Sequence, residues 1–263
     1  ASRAEVPGRM VLDGIQLLRG AFIKLEDYSL ETAARSLLGE GKTLAGEDRH
    51  REIERLYRED LPAFVTYNLT DARLVTRILE KTRLVELAVE RSLLTGMPLD
   101  RVSGSIASFD FLYLSELRKR GRVAPTVQVK GEAEPTAGGA VLEPVTGLHE
   151  NILGFDFKSL YPSLILTFNI DPAGHVPSPS PDEDLIRAPN GACFRREPGI
   201  LPEILLRLFP RREAAKRSGD AITSQAIKIL MNSFYGVLAT PACRFHSAPV
   251  ANAITHFGQS ILL

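Results

Sequence analysis

Residues 156–163 read DFKSLYPS, and the apolar run Ile152–Phe155 stands directly before them. A short apolar run of this kind predicts a buried strand, so we expect Asp156 at a strand end with its carboxylate at the rim of a sheet. Pro162 biases Tyr161 away from the α region and can open a helix as its first residue. The stretch thus places a carboxylate, a turn, an aromatic ring and a helix start in that order. This arrangement suits a hard divalent cation beside a phosphate, because magnesium takes oxygen ligands and helix N-termini take phosphate oxygens. The alternative is a solvated aspartate at a strand end.

A second informative stretch, residues 228–236, reads KILMNSFYG. Its apolar residues recur at helical spacing, which predicts a helix with one buried face and an opposite face that is polar but ends in an aromatic ring. The buried face is predicted to hold Ile227, Leu230, Met231 and Phe234, and the opposite face Lys228, Asn232 and Tyr235.

A helix predicted from about residue 202 to 218 precedes this one, and Gly219-Asp220 is the turn between them, so the two are expected to pack as an antiparallel pair. Basic residues outnumber acidic ones on this hairpin, although the net charge of the chain is zero. Arg212 and Lys216 are four residues apart and share a helix face. A solvated charged face is the alternative interpretation. The basic residues are Arg207, Arg211, Arg212, Lys216, Arg217 and Lys228, and the acids are Glu213 and Asp220.

The composition is that of a globular protein and excludes several classes. The chain has 263 residues, 44% of them hydrophobic, and its apolar runs are too short to cross a membrane. Cys193 and Cys243 make neither a metal-binding pattern nor a disulfide framework, which favours reduced, structural cysteines in a cytoplasmic protein. The first residue is not Met, and the helical pattern from residue 249 reaches Leu263 without a stop signal. We therefore expect a piece of a longer chain, cut at both ends.

The two stretches together closely resemble the first two polymerase motifs of family B DNA polymerases, in their order and in their spacing. Within that family, the sequence around the two motifs looks most like the bacterial polymerase II branch. The resemblance extends over nearly all of the chain. It implies an α+β fold in which part of a ribonuclease H-like exonuclease domain is followed by part of a polymerase palm with a two-helix fingers insertion. The expected divisions are the C-terminal part of a 3′–5′ exonuclease domain at 1–96, a connecting region at 97–150, palm at 151–200, fingers at 201–236 and the continuing palm at 237–263.

The resemblance implies that the first motif binds metal ions and the incoming nucleotide. Nucleotidyl transfer needs two divalent cations, one to lower the pKa of the primer 3′-hydroxyl and one to hold the triphosphate and the leaving pyrophosphate. Asp156 and the carbonyl of Phe157 are the expected metal ligands, and the N–H groups of Ser159, Leu160 and Tyr161 are expected to meet triphosphate oxygens. The ring of Tyr161 is expected to lie under the sugar and to reject ribonucleotides by a clash with the 2′-hydroxyl. A core tyrosine with a hydrogen-bonded hydroxyl is the alternative.

The resemblance also assigns nucleotide contacts to the two helices of the fingers. Basic side chains are expected to grip the triphosphate, with Arg211 as the alternative to Arg212 if the register slips by one residue. The later residues of the second motif are expected to border the nascent base pair, where a glycine leaves room for the base. The expected residues are Arg212, Lys216, Lys228, Asn232, Tyr235 and Gly236.

Tyr67 and Asp71 are four residues apart on a helix predicted to begin near Pro62 with Asp60 as its cap, so their side chains share one face. Such pairs are common on helix surfaces, and the spacing alone does not identify a site. The Tyr-Asn-Leu-Thr-Asp segment resembles the third exonuclease motif of the family, which implies that Asp71 binds a metal ion and Tyr67 orients the attacking water. The first two exonuclease motifs, with the other metal carboxylates, are expected before Ala1.

Two further positions are expected to meet DNA. The Pro- and Gly-rich run 131–139 predicts a linker, and the resemblance implies that a Gly-Gly element here approaches the template strand. Gly138 and Gly139 suit this role because a residue without Cβ lets the backbone come close to a ligand; a plain surface turn is the alternative. Arg244 is expected either to contact a DNA phosphate or to pair with an acid.

The longer protein is therefore expected to be a DNA-directed DNA polymerase with a proofreading 3′–5′ exonuclease and two Mg²⁺ ions at each active site. Its expected partners are primer–template DNA, deoxynucleoside triphosphates and a sliding clamp bound through regions outside this chain, with no membrane. Its expected location is the bacterial cytoplasm, at the nucleoid.

The third polymerase motif, an Asp-Thr-Asp hairpin with the other metal carboxylate, is expected beyond Leu263, so we expect the isolated chain to be inactive. One rival is a non-catalytic relative that binds primer–template DNA, and another is an enzyme that only degrades DNA. The intact residues Asp156, Tyr161, Lys228 and Asn232 speak against decay.

Overall fold

The computed structural model describes residues 6–41, 49–127, 136, 138–139 and 141–263. Within these residues the chain forms ten α-helices and one small antiparallel sheet. It divides into two compact units: one contains the residues up to Ser92 together with Pro98–Ser103, and the other contains Leu93–Met97 and Gly104–Leu263. The α+β class is confirmed, with helices dominating. In the described part of the chain, every helix is too short or too polar to cross a bilayer.

The first unit is built around its longest helix, α4. The Asp60 carboxylate caps this helix by accepting a hydrogen bond from the Ala63 N–H at 3.1 Å, and Pro62 occupies its first turn. The predicted helix start is therefore confirmed. The helices are α1 (Gly14–Gly20), α2 (Leu30–Leu38), α3 (Arg49–Glu59), α4 (Leu61–Thr82) and α5 (Leu84–Thr95), whose last residues fall in the second unit, and a 3₁₀ turn spans Leu99–Arg101.

The second unit has a helical core with a two-stranded sheet at its side. Phe109 lies at the centre of this core, where its ring stacks on Tyr113 at 5.1 Å between centroids and meets Phe234 edge-on at 5.8 Å. The elements are α6 (Ser105–Lys119), α7 (Leu160–Thr167), α8 (Ile200–Arg217), α9 (Ala221–Leu238), α10 (Ala248–Leu262), a 3₁₀ turn at Pro172–Gly174, and strands β1 (Ile186–Arg187) and β2 (Cys193–Phe194). The strands pair Ile186 with Phe194 and Arg187 with Cys193.

Helices α8 and α9 confirm the predicted hairpin and pack against each other. Their turn holds Gly219 at φ +75°, a conformation that glycine adopts without a Cβ clash. The Asp220 carboxylate then caps α9 by accepting the Thr223 N–H at 3.0 Å.

The buried face of α9 lies as predicted, and so do Lys228 and Asn232 on the opposite face, whereas Tyr235 is partly buried because its ring contacts Tyr161. The apolar face points into the core, and the polar face is left to solvent or to a ligand. The buried residues are Ile227, Leu230, Met231 and Phe234, and the exposed ones are Lys228, Asn232 and Gly236.

A buried carboxylate fixes the start of α8. Asp171 accepts hydrogen bonds from the Tyr113 hydroxyl and the Leu201 N–H at 2.9 Å, and from the N–H groups of Ala173 and Gly174 at 3.1 Å. Burial raises the pKa of Asp171, and these donors oppose that shift. The carboxylate thus joins α6, the 3₁₀ turn and the first turn of α8.

Residues 152–155 do not form the predicted buried strand. Ile152, Leu153 and Phe155 are 74%, 80% and 92% exposed, and within the described ranges no backbone pairs with them. The prediction is wrong because an apolar run becomes a strand only where a neighbouring strand satisfies its backbone groups. Asp156 therefore follows an exposed segment and does not stand at a sheet edge.

Candidate functional site

The turn between Asp156 and α7 holds Ser159 in the left-handed region, with φ 52° and ψ 56°. Non-glycine residues adopt such conformations rarely, at a cost on the order of 1–3 kcal/mol, and often at ligand sites. Ser163 stabilises the turn, since its hydroxyl donates to the Lys158 carbonyl and its N–H donates to the Ser159 carbonyl, both at 2.9 Å. Helix α7 begins at Leu160, and Ser159 makes no side-chain cap to its first turn. Among the described residues, the N–H groups of Leu160 and Tyr161 therefore remain available to a ligand.

Arg212 of α8 reaches this turn. Its Nη1 donates to the Ser159 hydroxyl at 3.1 Å, and its Nε is buried with no hydrogen-bond partner among the described residues. A buried donor without a partner is costly, and an anion bound at the turn would satisfy it. Of the two arginines between which the sequence did not decide, Arg212 is therefore the one at the turn, whereas Arg211 is exposed.

Lys216 lies one helical turn beyond Arg212 and pairs with Glu213. The Glu213 carboxylate is 3.3 Å from Lys216 Nζ and 3.0 Å from Lys158 Nζ. Lys158 lies in the turn between Asp156 and α7, called the motif turn below. Hydrogen bonds from Lys158 and then from Lys216 hold the pKa of Glu213 below its usual range. Lys158 and Glu213 are not among the predicted site residues, although the three-residue spacing of Glu213 and Lys216 is typical of a helical ion pair.

The aromatic rings of Tyr161 in α7 and Tyr235 in α9 are in contact, with centroids 4.8 Å apart and planes tilted by 56°. Burial, and then the neighbouring Tyr161, raise the pKa of Tyr235. Gly139 approaches the same place, since a Cβ on it would lie 3.0 Å from the Tyr161 hydroxyl. A Cβ on Gly236 would meet no atom within 4 Å, so packing does not require a glycine there and the space beside it is open.

Asp156 and Phe157 are exposed in the turn before α7. A carboxylate and a main-chain carbonyl are oxygen ligands of the kind that Mg²⁺ takes. The residues that the structure describes contain no cluster of three or more His, Cys, Asp or Glu side chains suited to a metal ion. The donors present thus fit Mg²⁺ in kind.

In the first unit, α4 carries Tyr67 and Asp71 on a common face, as predicted. Tyr67 is buried at 8% exposure, and Asp71 is partly buried. Their roles in an exonuclease stay predictions.

Arg244 pairs with an acid. Its Nε lies 3.0 Å from Asp110 Oδ2, and its Nη1 donates to the Pro125 carbonyl at 3.5 Å. Of the two predicted alternatives, the structure shows the ion pair, and the contact with DNA stays a prediction.

Gly138 has open space around it, as either a surface turn or a template contact requires. Residues 131–135 and 137 of the predicted linker lie outside the described residues.

Comparison with known proteins identifies the family. The sequence model of DNA polymerase family B matches residues 102–263. The chain belongs to this family. It is 44% identical to DNA polymerase II of Escherichia coli (strain K12) over 98% of the chain and 33% of that protein. This similarity confirms the bacterial branch that the motifs indicate.

More distant family members match over the same span. The chain is 30% identical to a DNA polymerase of Archaeoglobus fulgidus, over 99% of the chain and 34% of the relative. The solved structure of the family B DNA polymerase from Pyrobaculum calidifontis is similar with a TM-score of 0.77 and 26% identity, over 98% of this chain and 36% of that one. The structural likeness thus includes the first unit, most of which precedes the family match. The chain spans about a third of the length of these relatives.

Proposed function

We propose that the chain is part of a DNA-directed DNA polymerase that adds deoxynucleotides to a primer 3′ end and that also carries a 3′–5′ proofreading exonuclease. The observation that carries the proposal is the convergence of the first motif with α8 and α9. Arg212 lies 3.1 Å from Ser159, and the ring of Tyr161 contacts that of Tyr235. Residues far apart in the sequence form one surface of cations, turn amides and aromatic rings, the groups that bind a phosphate, a sugar and a base.

Each part of a deoxynucleoside triphosphate has a proposed partner on this surface. Arg212 donates to phosphate oxygens through its planar guanidinium group, while Lys216 and Lys228 act as point charges. Turn amides add donors to the same phosphates, and the exposed face of α9 borders the base pair. The amides are those of Ser159, Leu160 and Tyr161, and the residues beside the base are Asn232, Tyr235 and Gly236.

Asp156 and the Phe157 carbonyl are the proposed Mg²⁺ ligands, together with carboxylates from the rest of the protein. When bound, the two ions lower the pKa of the primer 3′-hydroxyl and neutralise charge on the leaving pyrophosphate. The chain itself contributes placement: the turn held by Ser163 brings the carboxylate of Asp156 and the phosphate-binding amides into one short segment. The Tyr161 ring then excludes a 2′-hydroxyl by its bulk.

In the first unit, we assign Asp71 to metal binding and Tyr67 to orienting the attacking water of the exonuclease, again with two Mg²⁺ ions completed by other carboxylates. The proposed exonuclease portion is 1–96; the first unit overlaps most of it, although residues 93–96 fall in the second unit and 98–103 in the first. The connecting region at 97–150, the palm at 151–200 and 237–263, and the fingers at 201–236 complete the proposed division.

The proposed partners are primer–template DNA, with Gly138 and Gly139 beside the template, and a sliding clamp bound through other regions of the protein. Arg244 joins the DNA contacts if its pair with Asp110 opens. The bacterial relative supports a location at the nucleoid of a bacterial cell.

The test is primer extension by the full-length protein, with Mg²⁺ and four deoxynucleotides. Wild type should extend the primer, Asp156→Asn should only degrade it, and Asp71→Asn should extend without degrading. Asp182→Asn, at an exposed position of the second unit, is the matched control and should retain both activities. A wild type that binds primer–template DNA without extending it would support the non-catalytic rival, and one that only degrades would support a nuclease.

A further inference from the structure

A single carboxylate, that of Glu213, forms ion pairs with two lysines at the proposed triphosphate site. Its Oε1 lies 3.0 Å from Lys158 Nζ and 3.3 Å from Lys216 Nζ. These contacts lower the pKa of Glu213, so the group is ionised at neutral pH. The side chains of Lys158 and Lys216 stay 63% and 43% exposed, so a ligand reaches both.

Glu213 stands where a triphosphate would compete with it. Lys158 lies in the motif turn before α7, and Lys216 lies one helical turn after Arg212 in α8. Arg212 itself donates to Ser159 in the same turn. The second half of α8 thus contacts the motif turn through Arg212 and Glu213. These contacts involve Arg212 and Lys216, the two cations of α8 that are expected to bind phosphate.

The first half of α8 is held in a different way. Asp171 fixes its first turn, and two ion pairs tie it to α6, Arg120–Glu203 at 2.7 Å and Arg207–Glu116 at 2.9 Å. These contacts do not involve Glu213. The helix therefore has its own anchors, and the Glu213 contacts can break without releasing α8.

We propose that Glu213 is an internal counter-ion, which occupies Lys158 and Lys216 until a deoxynucleoside triphosphate displaces it. The inference rests on the proposed function, since it takes Lys216 to bind the nucleotide. A partly exposed ion pair is weak, and a triphosphate offers several charged oxygens in place of one carboxylate. Displacement also frees Lys158, which becomes a further cation for the phosphates. Glu213 therefore sets nucleotide affinity and takes no part in the chemistry.

The experiment compares full-length wild type with Glu213→Gln and Glu213→Asp, by titration with a fluorescent deoxyadenosine triphosphate and by primer extension. Glu213→Gln keeps the shape but removes the charge, so it should tighten binding and lower KM roughly two- to fivefold, the strength of a surface ion pair, with kcat unchanged. Glu213→Asp keeps the charge and should stay near wild type. The difference should shrink at high salt, where the charges are screened.

Adding Lys158→Gln to Glu213→Gln should raise KM again, because it removes one of the cations that Glu213 had occupied. Unchanged or weaker nucleotide binding in Glu213→Gln would overturn the inference. A fall in kcat together with a lower thermal unfolding midpoint would also overturn it, because that combination indicates a structural role for Glu213. If wild type fails to extend a primer, the proposed function fails, but the titration still decides whether Glu213 sets nucleotide affinity.

Discussion

The ring of Tyr161, in the first turn of α7, packs against the ring of Tyr235, near the end of α9, with centroids 4.8 Å apart. Gly139 completes the group, since a Cβ there would come within 3.0 Å of the Tyr161 hydroxyl. Tyr161, which is proposed to lie under the sugar, is therefore packed against Tyr235, which is proposed to border the base pair. The contact between the two rings stabilises this part of the candidate site.

We expect Tyr161→Ala to admit ribonucleotides, because the ring that excludes the 2′-hydroxyl is gone. Relative ribonucleotide incorporation should rise by at least about tenfold, the scale on which pocket shape discriminates small groups. Loss of the aromatic pair with Tyr235 should also cost about 1 kcal/mol of unfolding free energy. The measurement is alkaline cleavage of products made with ribonucleotides present. Tyr161→Phe keeps the ring and should remain selective; alkali-resistant products from Tyr161→Ala would refute the sugar contact.

Arg212 and Arg211 form a matched pair for a second test, since they are adjacent in α8 and Arg212 donates to the Ser159 hydroxyl, whereas Arg211 is exposed. Arg212→Ala should raise KM for deoxynucleotides about ten- to a hundredfold, because a charge-assisted contact to phosphate is worth about 1.5–3 kcal/mol. Arg211→Ala should change KM less than about threefold. Steady-state primer extension by the full-length protein measures both. Equal effects of the two substitutions would contradict the assignment of Arg212.

The sequence predicted most of the second unit because local signals and packing agree there. The spacing of Ile227, Leu230 and Phe234 fixes which face of α9 is buried, and Gly219-Asp220 forms the predicted turn between α8 and α9. The strand predicted at 152–155 fails because its formation depends on a partner strand, which a local pattern does not contain.

The site was predicted less completely than the fold. Motif resemblance identifies Tyr161 and Arg212, but it carries no signal for the contact of Glu213 with Lys158, because the two lie on different elements that only the tertiary fold brings together. The left-handed conformation of Ser159 is likewise invisible in the sequence, since serine shows no general preference for it.

Asp171 offers a test of how the start of α8 is held. Asp171→Ala should lower the unfolding free energy by about 2–4 kcal/mol, because it leaves the Leu201 N–H and the Tyr113 hydroxyl buried without their acceptor. Tyr113→Phe removes only one of the donors and should cost about 1 kcal/mol. Urea unfolding followed by circular dichroism measures both, and equal losses in the two variants would show that Asp171 is no more than a partner of the tyrosine.

Glu116 should give the fold part of its acid sensitivity. Hydrogen bonding to Lys119, together with the charge of Arg207, holds the pKa of Glu116 below its ordinary value of 4.5. A carboxyl whose pKa is lower in the folded state stabilises the fold above that ordinary value, and the contribution disappears as the pH falls through the folded pKa. Glu116→Gln should therefore cost less than about 1 kcal/mol at pH 7 and nothing once the pH is below the folded pKa of Glu116, where wild type has lost the pair.

The measurement for Glu116 is the unfolding free energy in urea at a series of pH values from neutral to acid. Arg207→Gln and the double variant complete a thermodynamic cycle, whose coupling energy should be present at pH 7 and vanish in acid. Curves for wild type and Glu116→Gln that run parallel over the whole range would show that the ion pair between α6 and α8 does not contribute to stability, even though the two side chains lie 2.9 Å apart.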